Sequence, residues 1–375
     1  DLLARGTVSN FTLVNLAVLN AAVQHQNETV FSLAGSGRYQ RDTQDATVQT
    51  EVVAGVPQMA RMLRLQDVTL TSGSATFRSY LTQTNHATGT TNADHLDQTV
   101  FAKLQVNNVT GQIGSNRLDR MAAQLQLDAS RAAQGLDLQP LQLTSYRFDL
   151  EAREMPLAPL VNTFNPAYKG KVEGSLNAAV KLGDTDATGT NRFKNLTGQF
   201  DIGTTNLNLD LKDLNLPVLK EVVNAIRNLP ALARSLPGGW EKALGWATTA
   251  LQDSDHAWLD ELSKSRVDVI LGRGQIRGDR VEVEQVRLQT PAFQAELHGT
   301  LRLAAVMTNS SIDLPVAVLL RRSLAEKIEF VPTTTPTNAA YVKLPEFFKM
   351  GGTIGKARPN LIDAGVREGQ FRTSD

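Results

Sequence analysis

The stretch Ser265–Leu320 reads SRVDVILGRGQIRGDRVEVEQVRLQTPAFQAELHGTLRLAAVMTNSSIDLPVAVLL. Within it, Phe293, Ala295, Leu297, Leu301 and Leu303 share one parity, with Gly299 among them. Ala292, Gln294, Glu296, His298, Thr300 and Arg302 hold the other. Side chains alternate between the two faces of a strand, so Pro291–Leu303 predicts a ribbon with one oily face and one wet face. At about 3.3 Å per residue it would span roughly 43 Å, long for a globular strand.

The neighbouring segments repeat this pattern. Val267, Val269 and Leu271 alternate with Arg266 and Asp268, although Ile270 interrupts the polar face. Val281 and Val283 alternate with Arg280, Glu282 and Glu284, and the apolar parity then shifts to Val286 and Leu288. That odd spacing predicts a bulge at Glu284–Gln285, with Val283 and Val286 on the same face. Gly272–Gly274 and Gly278–Asp279 read as turns between the runs. The expected product is an antiparallel meander with one face that must be covered.

The rest of the chain is consistent with a mainly β protein. Short alternating runs recur at Phe11–Leu13, Val30–Leu33, Val48–Val53, Val68–Leu81, Phe101–Val109, Leu125–Leu127, Leu141–Leu143 and Tyr146–Leu150. Leu16–Val23 fits both strand and helix periods, and Met59, Met62 and Leu63 suggest a short helical turn within Val56–Leu65. Thr84–Asp97 reads as a polar loop, and Leu344–Phe348 as a single helical turn. Asn215–Ser263 has the helical period, with Val218, Leu219, Val222, Val223, Ile226 and Leu229 on one stripe. Pro230 and Pro237 break it before a second helix that carries all three tryptophans, and the pair is expected to pack on the sheet. The expected divisions are 1–154, 155–214, 215–263 for the helical insert, 264–362 for the last strands, and a polar tail 363–375.

Composition narrows the function. Lys plus Arg and Asp plus Glu are both 38 in 375 residues, a balance that argues against a dedicated nucleic-acid binder. Cysteine is absent, which removes thiol catalysis, disulfides and Cys-based zinc sites. No apolar run reaches the roughly 18 residues that a membrane helix needs. The chain begins at Asp1 and reads as a fragment or a processed chain. His25, His86, His95, His256 and His298 form no HExxH pair, and Asp94, His95 and Asp97 read as a solvated loop. There is no GxSxG elbow and no phosphate loop; the pairs Asp253/Asp255 and Glu282/Glu284 read as solvated faces. No catalytic constellation is present, so a non-enzymatic role without cofactor or metal is expected.

Several motifs carry a family resemblance. The run RGQIRGDRVEVEQVRLQTPAFQAELHGTLRLAA, the upstream hairpin PLAPLVNTFNPAYKGKVEGSLNAAVKLGDT (Pro156–Thr185), the strand FKNLTGQFDI (Phe193–Ile202) and the closing MGGTIGKARPNLI (Met350–Ile362) resemble the C-terminal region of the AsmA family of bacterial envelope proteins. The likeness covers Met155–Ile362, and the family's N-terminal membrane helix is missing from it.

The resemblance implies an elongated antiparallel sheet curled into an open trough, apolar inside and polar outside; a closed β-sandwich is the structural alternative. An outer-membrane barrel is disfavoured, because five Tyr and three Trp are too few for aromatic girdles. By the same likeness the protein would hold phospholipid acyl chains and support lipid transport between inner and outer membranes. It would reside in the periplasm, anchored to the inner membrane by a helix outside this chain, with phospholipid, membranes and other envelope proteins as partners. The expected lining is Val267, Val269, Leu271, Val281, Val283, Phe293, Ala295, Leu297, Leu301 and Leu303. The functional alternative is a periplasmic assembly factor that influences outer-membrane protein insertion through strand contacts.

Overall fold

The computed structural model describes residues 2–9, 12–65, 67–86, 95–114, 116–134, 137–138, 140–164, 170–188, 193–210, 265–327, 331, 335–344 and 348–361. The expected helices of 215–263 and the tail beyond 361 lie outside them, as do residues 345–347 of the helical turn expected at Leu344–Phe348; Phe348 itself begins a strand.

The described chain is mainly β and its strands pair antiparallel in one sheet that does not close into a barrel. The early strands are β1 (Leu2–Ser9), β2 (Leu13–His25), β3 (Glu28–Gln40), β4 (Asp45–Gly55), β5 (Val68–His86), β6 (His95–Ile113), β7 (Asn116–Gln134), β8 (Asp137–Leu138) and β9 (Gln142–Pro156). Next come β10 (Val172–Asp184), β11 (Leu196–Asp210), β12 (Arg266–Val267), β13 (Val269–Arg277), β14 (Arg280–Gln289), β15 (Phe293–Arg302) and β16 (Ser311–Arg321). The chain closes with β17 (Tyr341–Lys343), β18 (Phe348–Thr353) and β19 (Lys356–Leu361). Three short α-helices are described: α1 (Val56–Met62), α2 (Leu157–Phe164) and α3 (Arg322–Lys327).

The chain divides into two compact units, Asp1–Pro156 with Leu176–Phe200, and Leu157–Ser175 with Asp201–Asp375. The first is a meander of long strands in which β5, β6 and β7 each run for 19 residues. The loop expected at Thr84–Asp97 is therefore shorter than its polar sequence suggested: β5 continues to His86 and β6 begins at His95. Leu16–Val23 is strand throughout, because it pairs with both β1 and β3. Gln26 and Asn27, at φ +52° and +65°, make the two-residue turn between β2 and β3; φ is positive at both centres, as a I′ turn requires. Helix α1 forms where expected, with a proline in its first turn, and packs on β3, β4 and β5 with Ala60 buried.

The second unit contains the stretch that defined the fold. Gly278, at φ +62°, takes the first central position of the two-residue turn between Arg277 and Arg280. Thr290 makes the next corner: its hydroxyl accepts from the Phe293 N–H at 2.9 Å and donates to the Phe293 carbonyl at 3.0 Å. The bulge is present. Val283 pairs with Gly299 and Val286 with Leu297, so two residues of β14 oppose His298 alone. Gly299 and Leu297 share a parity, hence Val283 and Val286 face the same way. Gly299 sits at φ +136°, and a Cβ there would lie 3.0 Å from the Leu314 side chain.

Two expectations for this stretch are corrected. Gly272 and Gly274 are not a turn; they lie inside β13, opposite Val286 and Val283, where small residues face the bulged strand. Val269 and Leu271 do not share a face with Val267. Asp268 separates β12 from β13, and beyond it the inward residue is Ile270, paired with the fully buried Leu288. Val269 and Leu271 pair with Gln289 and Arg287, on the face where Arg287 meets Glu296 at 2.7 Å. The one-residue break inverts the parity that the sequence pattern carried across it.

Val267, Phe293, Ala295 and Leu297 belong to a buried cluster with Leu288, Val316, Val318 and Leu320. Leu324 and Ala325 of α3, Val342 of β17, Leu344 just past it and Met350 of β18 are all buried in the same cluster; Val342 and Met350 extend the rows of the face, paired with Leu320 and Leu314 of β16. Val281 and Val283 are buried, Leu301 packs half-buried against the cluster, and Leu303 is half-buried just past β15.

Leu297 is 1% exposed. Replacing it by Asp removes packing worth about 2–5 kcal/mol and places an unpaired carboxylate in an apolar interior. Leu297→Asp is therefore expected to abolish the cooperative melting transition of this unit in circular dichroism; a parent-like melt would contradict the burial.

Asp268 gives a pH test. Burial raises its carboxyl above the ordinary value of 3.8, so the folded state binds the proton more tightly than the unfolded one. The stability tied to this group is present below pH 3.8 and is lost as pH rises through the raised value. Asp268→Asn is expected to raise the melting temperature at pH 7, and the gain should shrink toward zero at acid pH. An equal gain at both pH values would point to packing instead of charge.

Candidate functional site

Cross-strand register in the first unit aligns apolar residues in continuous rows. One row runs Leu33, Val52, Phe77, Leu104, Leu125, Phe148 across β3, β4, β5, β6, β7 and β9. Two residues away along the strands lies Gly35, Thr50, Ser79, Ala102, Leu127, Tyr146, and then Gly37, Val48, Leu81, Val100, Ala129, Leu143. On the other side of the first row lies Phe31, Ala54, Ala75, Val106, Ala123, Leu150. Strand β2 extends the same face with Leu16, Leu19, Ala21 and Val23.

The opposite face is wet. Its rows include Glu51, Arg78, Lys103, Gln126, Arg147 and also Thr47, Thr82, Thr99, Ser130. Arg78 pairs with Glu51 at 2.7 Å, Arg147 with Asp149 at 2.8 Å, and Gln105 donates to Gln124 at 3.0 Å. Tyr80 and Phe101 are the aromatic exceptions there.

The apolar face is not a closed core. Val48 is 44% exposed, Leu104 39%, Leu143 39% and Phe77 38%. Singly, exposed apolar residues are ordinary; aligned in adjoining rows they form a contiguous patch, which marks an interaction surface. Two of its polar groups are matched as they would be in an interior. The Thr50 and Ser79 hydroxyls bond to each other at 2.6 Å. Burial, with a smaller contribution from the charge of Asp184, holds the Tyr146 phenol above its ordinary value, so it stays neutral at physiological pH. Such a surface offers area and fluid apolar contact, not directed bonds to a reacting atom.

The lining expected from Ser265–Leu320 thus lies elsewhere, in the second unit, and for the residues of this face the sequence pattern predicts strand alone. Their signal was nevertheless present: Val48 with Val52, Phe77 with Leu81 and Val100 with Leu104 alternate cleanly. What the pattern lacked was the register that sets them side by side. His86 and His95 pair at the far ends of β5 and β6. No family model, curated protein or solved structure matches this chain.

Proposed function

We propose that the chain is a non-enzymatic cell-envelope protein that holds phospholipid acyl chains against an apolar sheet face and supports their transport between inner and outer membranes. The observation that carries this reading is the half-exposed apolar face of the first unit, backed by a face of ion pairs and amides. Acyl chains are unbranched and fluid, so they need apolar width without specific donors. Burying them there stabilises the complex by about 25 cal/mol per Å² of apolar surface removed from water. The AsmA-like motifs of Met155–Ile362 support the same role. In this reading the sheet curls into an open groove around the chains, and the protein works in the periplasm from an inner-membrane anchor outside this chain.

Leu104 lies mid-way in the most apolar row and is partly open to water. Unlike Leu297, it accepts a charge that water can reach. Leu104→Asp is expected to melt like the parent and to lose most of the phospholipid that native mass spectrometry detects on the purified chain. Parent-like lipid content in a folded Leu104→Asp protein would reject the face as the lipid site. A parent that purifies without lipid, and takes none from vesicles, would reject the reading itself.

A further inference from the structure

One row of the apolar face has a different chemistry. Two positions beyond Val48, Leu81, Val100 and Ala129, the same face carries Ala46, Gln83, Gln98 and Arg131 in register. Their polar groups bond in a single direction. The Gln83 side-chain N–H donates to the Gln44 carbonyl at 2.7 Å, the Gln98 N–H to Gln83 Oε1, and Arg131 Nε to Gln98 Oε1. A backbone carbonyl only accepts, so Gln44 forces the orientation of both amides: each turns its oxygen toward Arg131.

The relay holds the guanidinium by Nε alone. Among the described residues no carboxylate pairs with it, and its Nη groups have no hydrogen-bond partner. It is also the one charged side chain in the described rows of this face. A half-buried guanidinium with its fork free, on an otherwise apolar surface, suits an anion that presents two oxygens.

Length supports a lipid as the occupant. From Arg131 along β7 to Leu125 is roughly 20 Å and to Ala123 roughly 26 Å. One leaflet of a bilayer is about half of its 30 Å hydrocarbon thickness. A chain anchored at Arg131 would therefore end on the rows of Leu127 and Leu125. We infer that Arg131 docks the phosphate of a phospholipid whose acyl chains lie on this face, with Gln98 and Gln83 as positioning residues. This rests on the acyl-chain reading above.

The test compares binding of dioctanoyl phosphatidic acid, dioctanoylglycerol and inorganic phosphate to the 375-residue chain. Arg131→Gln is expected to weaken phosphatidic acid about tenfold or more, the range for hydrogen bonds to a charged group, and to leave the diglyceride unchanged. Gln98→Glu supplies a carboxylate to Arg131 and is expected to give the same selective loss, so either variant suffices if the other misfolds. Unchanged phosphatidic acid binding in both variants, or an equal loss of both lipids, overturns the anchor while the acyl-chain reading stands. Inorganic phosphate binding as tightly as phosphatidic acid overturns it in favour of a free-anion site. If the parent binds neither lipid, both readings fall.

Discussion

Cross-strand register is the constraint on which this molecule depends. A strand's period of two assigns every residue to a face, and antiparallel pairing then decides which residues become neighbours. Across β3 to β7 and β9 the registers keep Val52, Phe77, Leu104 and Leu125 in one row and Glu51, Arg78 and Lys103 in the adjacent one. A slip of a single residue would exchange them. Irregularities are tolerated only where the faces are restored. At Glu284–Gln285 the bulge changes the count by one and returns Val286 to the side of Val283. At Asp128/Ala129 the shift against β9 likewise keeps Leu143 in line with Ala129.

The same alternation leads to two different environments. In the second unit the inward face of β14, β15 and β16 is buried, in one cluster with Leu324 and Ala325 of the helix that follows β16 and with Val342 and Met350 of the strands paired beside it. Tyr341 at the start of β17 is tied to the corner before β15, since its hydroxyl donates to the Thr290 carbonyl at 3.0 Å. In the first unit the corresponding face keeps exposed apolar side chains in adjoining rows. Period-2 patterning is thus a statement about two faces and not about what lies against the oily one.

This explains what was legible in the sequence. Alternation in Pro291–Leu303 revealed the strand, and the odd spacing of Val283 and Val286 revealed the bulge, because both are local. The position of Ile270 was not legible: Asp268 looks like one more polar residue in the alternation, yet the chain changes parity there. The glycines of β13 imitate a turn, although their role is to lie opposite valines of the bulged strand. The burial of Phe293 and Leu297 involves a cluster that reaches Met350, 57 positions past Phe293, which no local period reports. A face assembled from six strands is equally silent until the registers are known.

Arg131 shows how far such a reading extends once register is in hand. In sequence it stands in the unremarkable run Asp128-Ala-Ser-Arg131. Its meaning comes from Gln83 and Gln98, brought beside it by two neighbouring strands, and from Gln44, whose carbonyl gives the amide relay its direction. A lysine at that position lacks the Nε–H that the relay holds while leaving the fork free. A strand of alternating apolar residues needs no such ending for its stability. The polar relay therefore stands apart from the apolar rows around it, and the unpaired charge on it says which sign of head group a bound chain would carry there.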